Sequence, residues 1–70
     1  MNSDSLVAQN LRRIMDDRGF RYRSIAEKAG YSIGQFSSLL NGRRRVTADD
    51  IVRIADTLNI SPNELFKKPA

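Results

Sequence analysis

An all-α fold, five short helices in one small domain, is what the 70-residue sequence predicts. Apolar residues recur at i, i+3, i+4 and i+7 in successive stretches, the spacing of one helical face. Each stretch is followed by a residue that stops helices: Gly19, Gly30, Asn41-Gly42 or Asn59. No stretch alternates apolar and polar residues long enough for a strand. Neither repeat, linker nor low-complexity segment interrupts residues 1–70, so they are expected to form one domain.

The first helix is announced by Val7, Leu11, Ile14 and Met15, with Ser3 or Asp4 placed to cap its start and Gly19 to end it. A second, shorter stretch carries Ile25, Ala26 and Ala29 and stops at Gly30. The third opens on Ser32-Ile33-Gly34-Gln35, the spacing of a capping box, and continues through Phe36, Leu39 and Leu40. Thr47 opens the fourth, with Asp49 and Asp50 in its first turn as dipole partners or solvated groups. Its apolar face is Ile51, Ile54, Ala55 and Leu58. The fifth begins at Ser61-Pro62-Asn63-Glu64, a serine cap with proline at the first helical position, and carries Leu65 and Phe66.

Composition narrows the function. The chain has no cysteine and no histidine, which removes disulfides, thiolate metal sites and the commonest general base. Nothing in it approaches the roughly 20 apolar residues of a membrane span. Met1-Asn2-Ser3-Asp4 lacks the basic start of a signal peptide. Asp16-Asp17 and Asp49-Asp50 are adjacent pairs whose carboxylates diverge on a helix, a poor metal site. These features point away from an enzyme, a cofactor and a membrane, and towards a cytoplasmic location.

The net charge is +4, and its distribution says more than its size. Residues 18–45 hold seven cations (Arg18, Arg21, Arg23, Lys28, Arg43, Arg44 and Arg45) against Glu27 alone. The segments on either side are each mildly acidic. A basic middle between acidic ends is the footprint of a polyanion-binding face, or else of an ordinary solvated surface.

The segment 22–41, YRSIAEKAGYSIGQFSSLLN, favours the first. Ala26 is small enough for the next helix to cross close by. Gly30 accepts the positive φ of a tight turn, and Phe36 and Leu39 anchor the later helix on the core. This is the pattern of a helix-turn-helix. Together with Ile25-Ala26-Glu27-Lys28-Ala29-Gly30, Leu39-Leu40-Asn41-Gly42 and Ile51-Val52-Arg53-Ile54-Ala55-Asp56-Thr57-Leu58, it leads to Ser61-Pro62-Asn63-Glu64-Leu65-Phe66. From Leu6 to Phe66 the chain resembles the lambda-repressor-like helix-turn-helix domains of phage repressors, Cro proteins and xenobiotic-response-element-type regulators.

The resemblance implies a compact five-helix domain whose third helix enters the DNA major groove. It also places Asn41 at a backbone-contacting position. Two departures stand out. Tyr22 occupies the position where the family often has glutamine, and its hydroxyl can still donate to a phosphate. Arg21 replaces the usual cap, so the second helix starts either there or later, at Ser24 with Glu27.

On a helical wheel, Phe36, Leu39 and Leu40 share one side of the third helix, while Gly34, Ser38 and Asn41 lie opposite. Ser32, Ile33, Gly34, Gln35, Ser37 and Ser38 are therefore the candidate base contacts. Gly34 permits close approach, Ile33 suits a thymine methyl, and Gln35 suits adenine if its rotamer swings inward. Arg21, Tyr22, Arg23, Asn41, Arg43, Arg44 and Arg45 bracket the helix as candidate phosphate contacts.

The expected partner is double-stranded DNA, bound by a weak homodimer that forms through Phe66 and the C-terminal helix, with a role in transcriptional repression. The alternative is a protein-recognition module such as an antitoxin-like partner. The end at Lys67-Lys68-Pro69-Ala70, just past the fifth helix, also suits the DNA-binding half of a longer effector-sensing repressor.

Overall fold

The first apolar stripe becomes the longest helix, α1 (Ser3–Arg18), in a computed structural model that describes residues 3–68. It is followed by α2 (Tyr22–Ala29), α3 (Ile33–Leu40), α4 (Ala48–Leu58) and a 3₁₀ turn (Pro62–Phe66). The described residues thus form four α-helices and no strand; the fifth helix expected from the sequence is the 3₁₀ turn. Its geometry follows from its length. Glu64 N–H donates to Ser61 C=O three residues back, and five residues are too few to build an α-helical ladder.

The four α-helices close in the same way. After α2, Gly30 N–H donates to Glu27 C=O and Tyr31 N–H to Ala26 C=O, at 3.1 and 2.8 Å. The same pair of bonds recurs at Gly19-Phe20, Gly42-Arg43 and Asn59-Ile60. This Schellman arrangement needs a left-handed residue, and Asn59 supplies the non-glycine case at φ 56°.

The starts differ more from expectation. Asp4 does not cap α1: the helix already begins at Ser3, and the Asp4 carboxylate reaches across the fold to accept from Val46 N–H at 2.9 Å. Ser3 likewise lies within the helix, and Met1, Asn2, Pro69 and Ala70 lie outside the described residues. Helix α2 starts at Tyr22 and not at Ser24. Arg21 takes the extended cap conformation without a side-chain cap, and its carbonyl accepts the first helical bond from Ile25 N–H. Sequence alone offered a serine cap, but Ser24 lies inside α2, ahead of the buried Ile25 and Ala26.

Packing positions the rest. Val7, Leu11, Met15, Phe36, Leu39, Ile54, Leu58 and Leu65 are essentially sealed from solvent. Helix α1 lies against α3 and the 3₁₀ turn, and α2 packs on both α3 and α4. Asn10, buried on α1, ties down the C-terminal segment by donating through Nδ2 to the carbonyls of Leu65 and Lys67, each at 2.8 Å. Leu65 is core, and Phe66 is left 44 % exposed.

Candidate nucleic-acid interface

Helix α3 starts where the sequence places it. Ser32 Oγ accepts from Gln35 N–H at 3.1 Å, and Gln35 Oε1 accepts from Ser32 N–H at 3.0 Å, a reciprocal capping box. Phe36, Leu39 and Leu40 bury one side, leaving Ile33, Gly34, Gln35 and Ser37 exposed and Ser38 half-buried. A methyl group built on Gly34 would meet nothing within 4 Å, so the helix surface there is open to whatever approaches it.

The box constrains Gln35. A bidentate adenine contact needs both ends of the carboxamide. Here the oxygen already accepts from the Ser32 amide, which leaves one lone pair on it and turns the carboxamide back towards the helix start.

Two shallow depressions flank α3. One, of about 200 Å³, is lined by Arg12, Tyr22, Ile33, Ser37 and Asn41 among others. The other is lined by Gly34, Gln35, Ser38, Arg43 and Arg44. These depressions place Ile33, Gly34, Gln35, Ser37 and Ser38 beside Tyr22, Asn41, Arg43 and Arg44, while Ser32, Arg21, Arg23 and Arg45 line neither; two of the lining residues have ties of their own. Tyr22 Oη donates to Asp16 Oδ1 at 3.3 Å, so its hydroxyl proton is already in use. Arg44 is half-buried and ion-paired. Arg21, Arg23, Arg43 and Arg45 are exposed cations, and none makes an ion pair among the described residues. Arg12, which the sequence did not single out, joins them at the foot of α3.

The segment between α3 and α4 is pinned along its length. Arg43 N–H donates to Ser38 C=O, Val46 N–H to Asp4, and Thr47 N–H to Asp50 Oδ2. Asp50 is the centre of this arrangement and is 2 % exposed: of the two roles expected of it, it keeps its place in the first turn of α4 and is not a solvated carboxylate. Its Oδ1 accepts from Tyr31 Oη at 2.5 Å and from Arg44 Nη2 at 3.3 Å. Thr47 Oγ1 donates to Oδ2 and in turn accepts from Asp50 N–H. Burial alone raises the Asp50 pKa, but hydrogen bonds from Tyr31 and Thr47 and the Arg44 charge outweigh it, and the net shift is downward. Burial, then the bond to Asp50, pushes the Tyr31 hydroxyl far above its ordinary value. The guanidinium carbons of Arg44 and Arg53 lie 5.4 and 5.6 Å from the centre of the Tyr31 ring. One signal for this cluster was present in the sequence, since Thr47 and Asp50 have capping-box spacing. The partnership with Tyr31 and Arg44 was not legible, because it joins three separate segments.

A family model described as the Cro/C1-type HTH DNA-binding domain matches residues 10–70. The chain belongs to that family. Within this Cro/C1-type domain, α2 and α3 are joined by the tight turn at Gly30. The chain is 31 % identical over 65 residues to an uncharacterized HTH-type transcriptional regulator, y4dJ, of Sinorhizobium fredii, spanning 93 % of this chain and 84 % of that protein. Its fold is similar to that of ClgR, the clp gene regulator of C. glutamicum, with a TM-score of 0.87 at 25 % identity over 93 % of this chain and 84 % of that one. It is also similar to the restriction-modification controller protein C.AhdI of Aeromonas hydrophila, with a TM-score of 0.83 at 27 % identity over 90 % and 96 % of the two chains. This is a DNA-binding domain of the kind that transcription regulators carry. Among its described residues no helix is long and apolar enough to cross a membrane.

Proposed function

We propose that this domain binds double-stranded DNA sequence-specifically, with α3 in the major groove, and represses transcription by occupying promoter DNA. The observation that carries the reading is the surface of α3 itself. A helix face of small or adaptable residues, Gly34, Gln35, Ser37 and Ser38 with Ile33 at its tip, stands open between exposed cations on both sides. Small residues let a helix backbone sit deep in a groove, and serine and glutamine offer both donors and acceptors to base edges. Arg21 and Arg23 before α3, and Asn41, Arg43 and Arg45 after it, are the groups this reading assigns to the two phosphate strands. Tyr22 joins them if its hydroxyl leaves Asp16.

The domain is 29 Å in its longest dimension, less than the ~34–36 Å that separates half-sites one helical turn apart. One copy therefore covers one half-site, and a two-fold pair covers an operator. The exposed Phe66 supports a weak homodimer through the C-terminal segment.

Selection from a random duplex library, followed by a salt titration, tests the reading. The expected result is an enriched consensus and tighter binding to it than to scrambled DNA. Gln35→Ala and Ser38→Ala are expected to shift preference at particular base pairs by ~1–3 kcal/mol. A library that shows no enrichment refutes base reading by α3.

A further inference from the structure

Arg44 sits inside the basic run yet differs from both neighbours. Arg43 and Arg45 are exposed and make no ion pair among the described residues. Arg44 is half-buried, donates to the buried Asp50 at 3.3 Å, and lies over the Tyr31 ring. Its two partners come from distant places in the fold: Tyr31 from the turn of the helix-turn-helix and Asp50 from the first turn of α4.

We propose that Arg44 is a positioning residue and not a phosphate contact, and that the Tyr31–Asp50–Arg44 clamp holds the 43–46 segment where Arg43 and Arg45 reach the DNA backbone. The proposal rests on the DNA-binding reading above and assigns a division of labour within it. Three arguments support it.

Asp50 is buried and charged, and such a group is tolerated only when paired and hydrogen-bonded. Among the described residues Arg44 is the cation on it, since Arg53 pairs with Asp49 at 3.0 Å. Swinging Arg44 out to a phosphate would strand that carboxylate and put a solvent-screened ion pair in place of a buried one. The clamp is also doubly directional, because a planar guanidinium can donate to the carboxylate from its edge and stack its face on the tyrosine, which an ammonium cannot. Finally, the backbone is anchored on either side of Arg44, through Arg43 N–H to Ser38 and Thr47 N–H to the same Asp50, and between those anchors the Arg44 side chain ties the segment to the buried carboxylate. Arg44 also lines the depression with Gly34 and Ser38, which puts the clamp directly beside the α3 face.

The slope of log affinity against log salt counts phosphate contacts, at about 0.9 per contact on duplex DNA. It is to be measured with the duplex selected by the wild-type chain, for Arg43→Ala, Arg44→Ala, Arg44→Lys, Asp50→Asn and the Arg43→Ala/Arg44→Ala double variant. All measurements are made below the melting midpoint of every variant, with helicity checked by circular dichroism. Arg43→Ala is expected to flatten the slope by about 0.9, one contact. Arg44→Ala is expected to flatten it at least as much, and adding Arg43→Ala is expected to change nothing further. Arg44→Lys is expected to behave like Arg44→Ala although its charge is kept. Asp50→Asn, which leaves Arg44 in place, is expected to flatten the slope as well.

Additive losses in the double variant, with Asp50→Asn and Arg44→Lys at the wild-type slope, would make Arg44 an ordinary phosphate contact. A lowered melting temperature in Arg44→Ala with an unchanged slope would make it structural only. Either result overturns the proposal while leaving DNA binding intact. A wild-type chain whose affinity for duplex DNA shows no salt dependence overturns the DNA-binding reading itself. If Asp50→Asn does not fold, Arg44→Lys and the double variant decide the matter.

Discussion

Tyr31→Phe isolates one hydrogen bond in the Asp50 cluster. The substitution deletes Oη and leaves the ring, which stays packed 6.0 Å from Phe36 and under the two guanidinium groups. Asp50 Oδ1 then keeps only the longer Arg44 bond at 3.3 Å, inside a site 2 % exposed. A hydrogen bond to a charged group contributes ~1.5–3 kcal/mol, and a domain of this size holds only ~3–5 kcal/mol in total. At ~4–8 °C per kcal/mol, a loss of ~2 kcal/mol lowers the melting temperature by ~8–16 °C. Thermal unfolding by circular dichroism at neutral pH measures this. A fall of less than ~2 °C would mean that the bond contributes almost nothing net.

The pH dependence sharpens the test. The folded pKa of Asp50 is lowered, so its contribution is complete above the ordinary carboxylate value of ~3.9 and is lost as pH falls through the folded value. The folded pKa of Tyr31 is raised, so its contribution is complete below ~10 and is lost as pH climbs through the folded value. The stability gap between wild type and Tyr31→Phe is therefore expected to be widest between these limits and to narrow outside them. A gap that is constant from strong acid to strong base would refute the linkage.

Three other substitutions probe separate parts of the fold and site. Gly30→Val forces a β-branched residue to φ 84° and is expected to cost ~1–3 kcal/mol, lowering the melting temperature and the DNA affinity together; unchanged melting would contradict the turn geometry. Gly34→Ala adds a methyl into open space on a helix, so melting is expected to rise by up to ~1 kcal/mol equivalent while affinity for the selected duplex falls; an unchanged affinity would show that the α3 backbone does not approach the groove closely. Phe66→Ala removes an exposed ring and is expected to weaken self-association in sedimentation without loss of half-site binding, and an unaltered dimer constant would take Phe66 out of the interface.

What the sequence disclosed were features set by neighbours along the chain. The apolar faces of α1, α3 and α4, the Ser32–Gln35 box and the left-handed closures at Gly19, Gly30 and Asn59 all depend on residues within one or two turns. The contacts that escaped it span the fold. Asn10 holds Leu65 from 55 positions away, Asp4 holds Val46 from 42, and Tyr31 meets Asp50 from 19. Asp4 and Asp50 had plausible local roles, as cap and as dipole partner or solvated group, and the packing of helices gave them long-range partners. The open face of α3 was legible because it is the complement of an apolar face. The pairing of Arg44 was not, because three consecutive arginines look alike until one of them meets a buried carboxylate.

The most direct test of α3 as the reading element is amide chemical-shift mapping of the ¹⁵N-labelled chain titrated with its selected duplex. The largest shifts are expected at residues 32–38, with a second group at 43–45, and a scrambled duplex is expected to move the second group but leave most of the first in place. Large shifts confined to α4 and the 3₁₀ turn, with residues 32–38 unmoved, would contradict a major-groove role for α3.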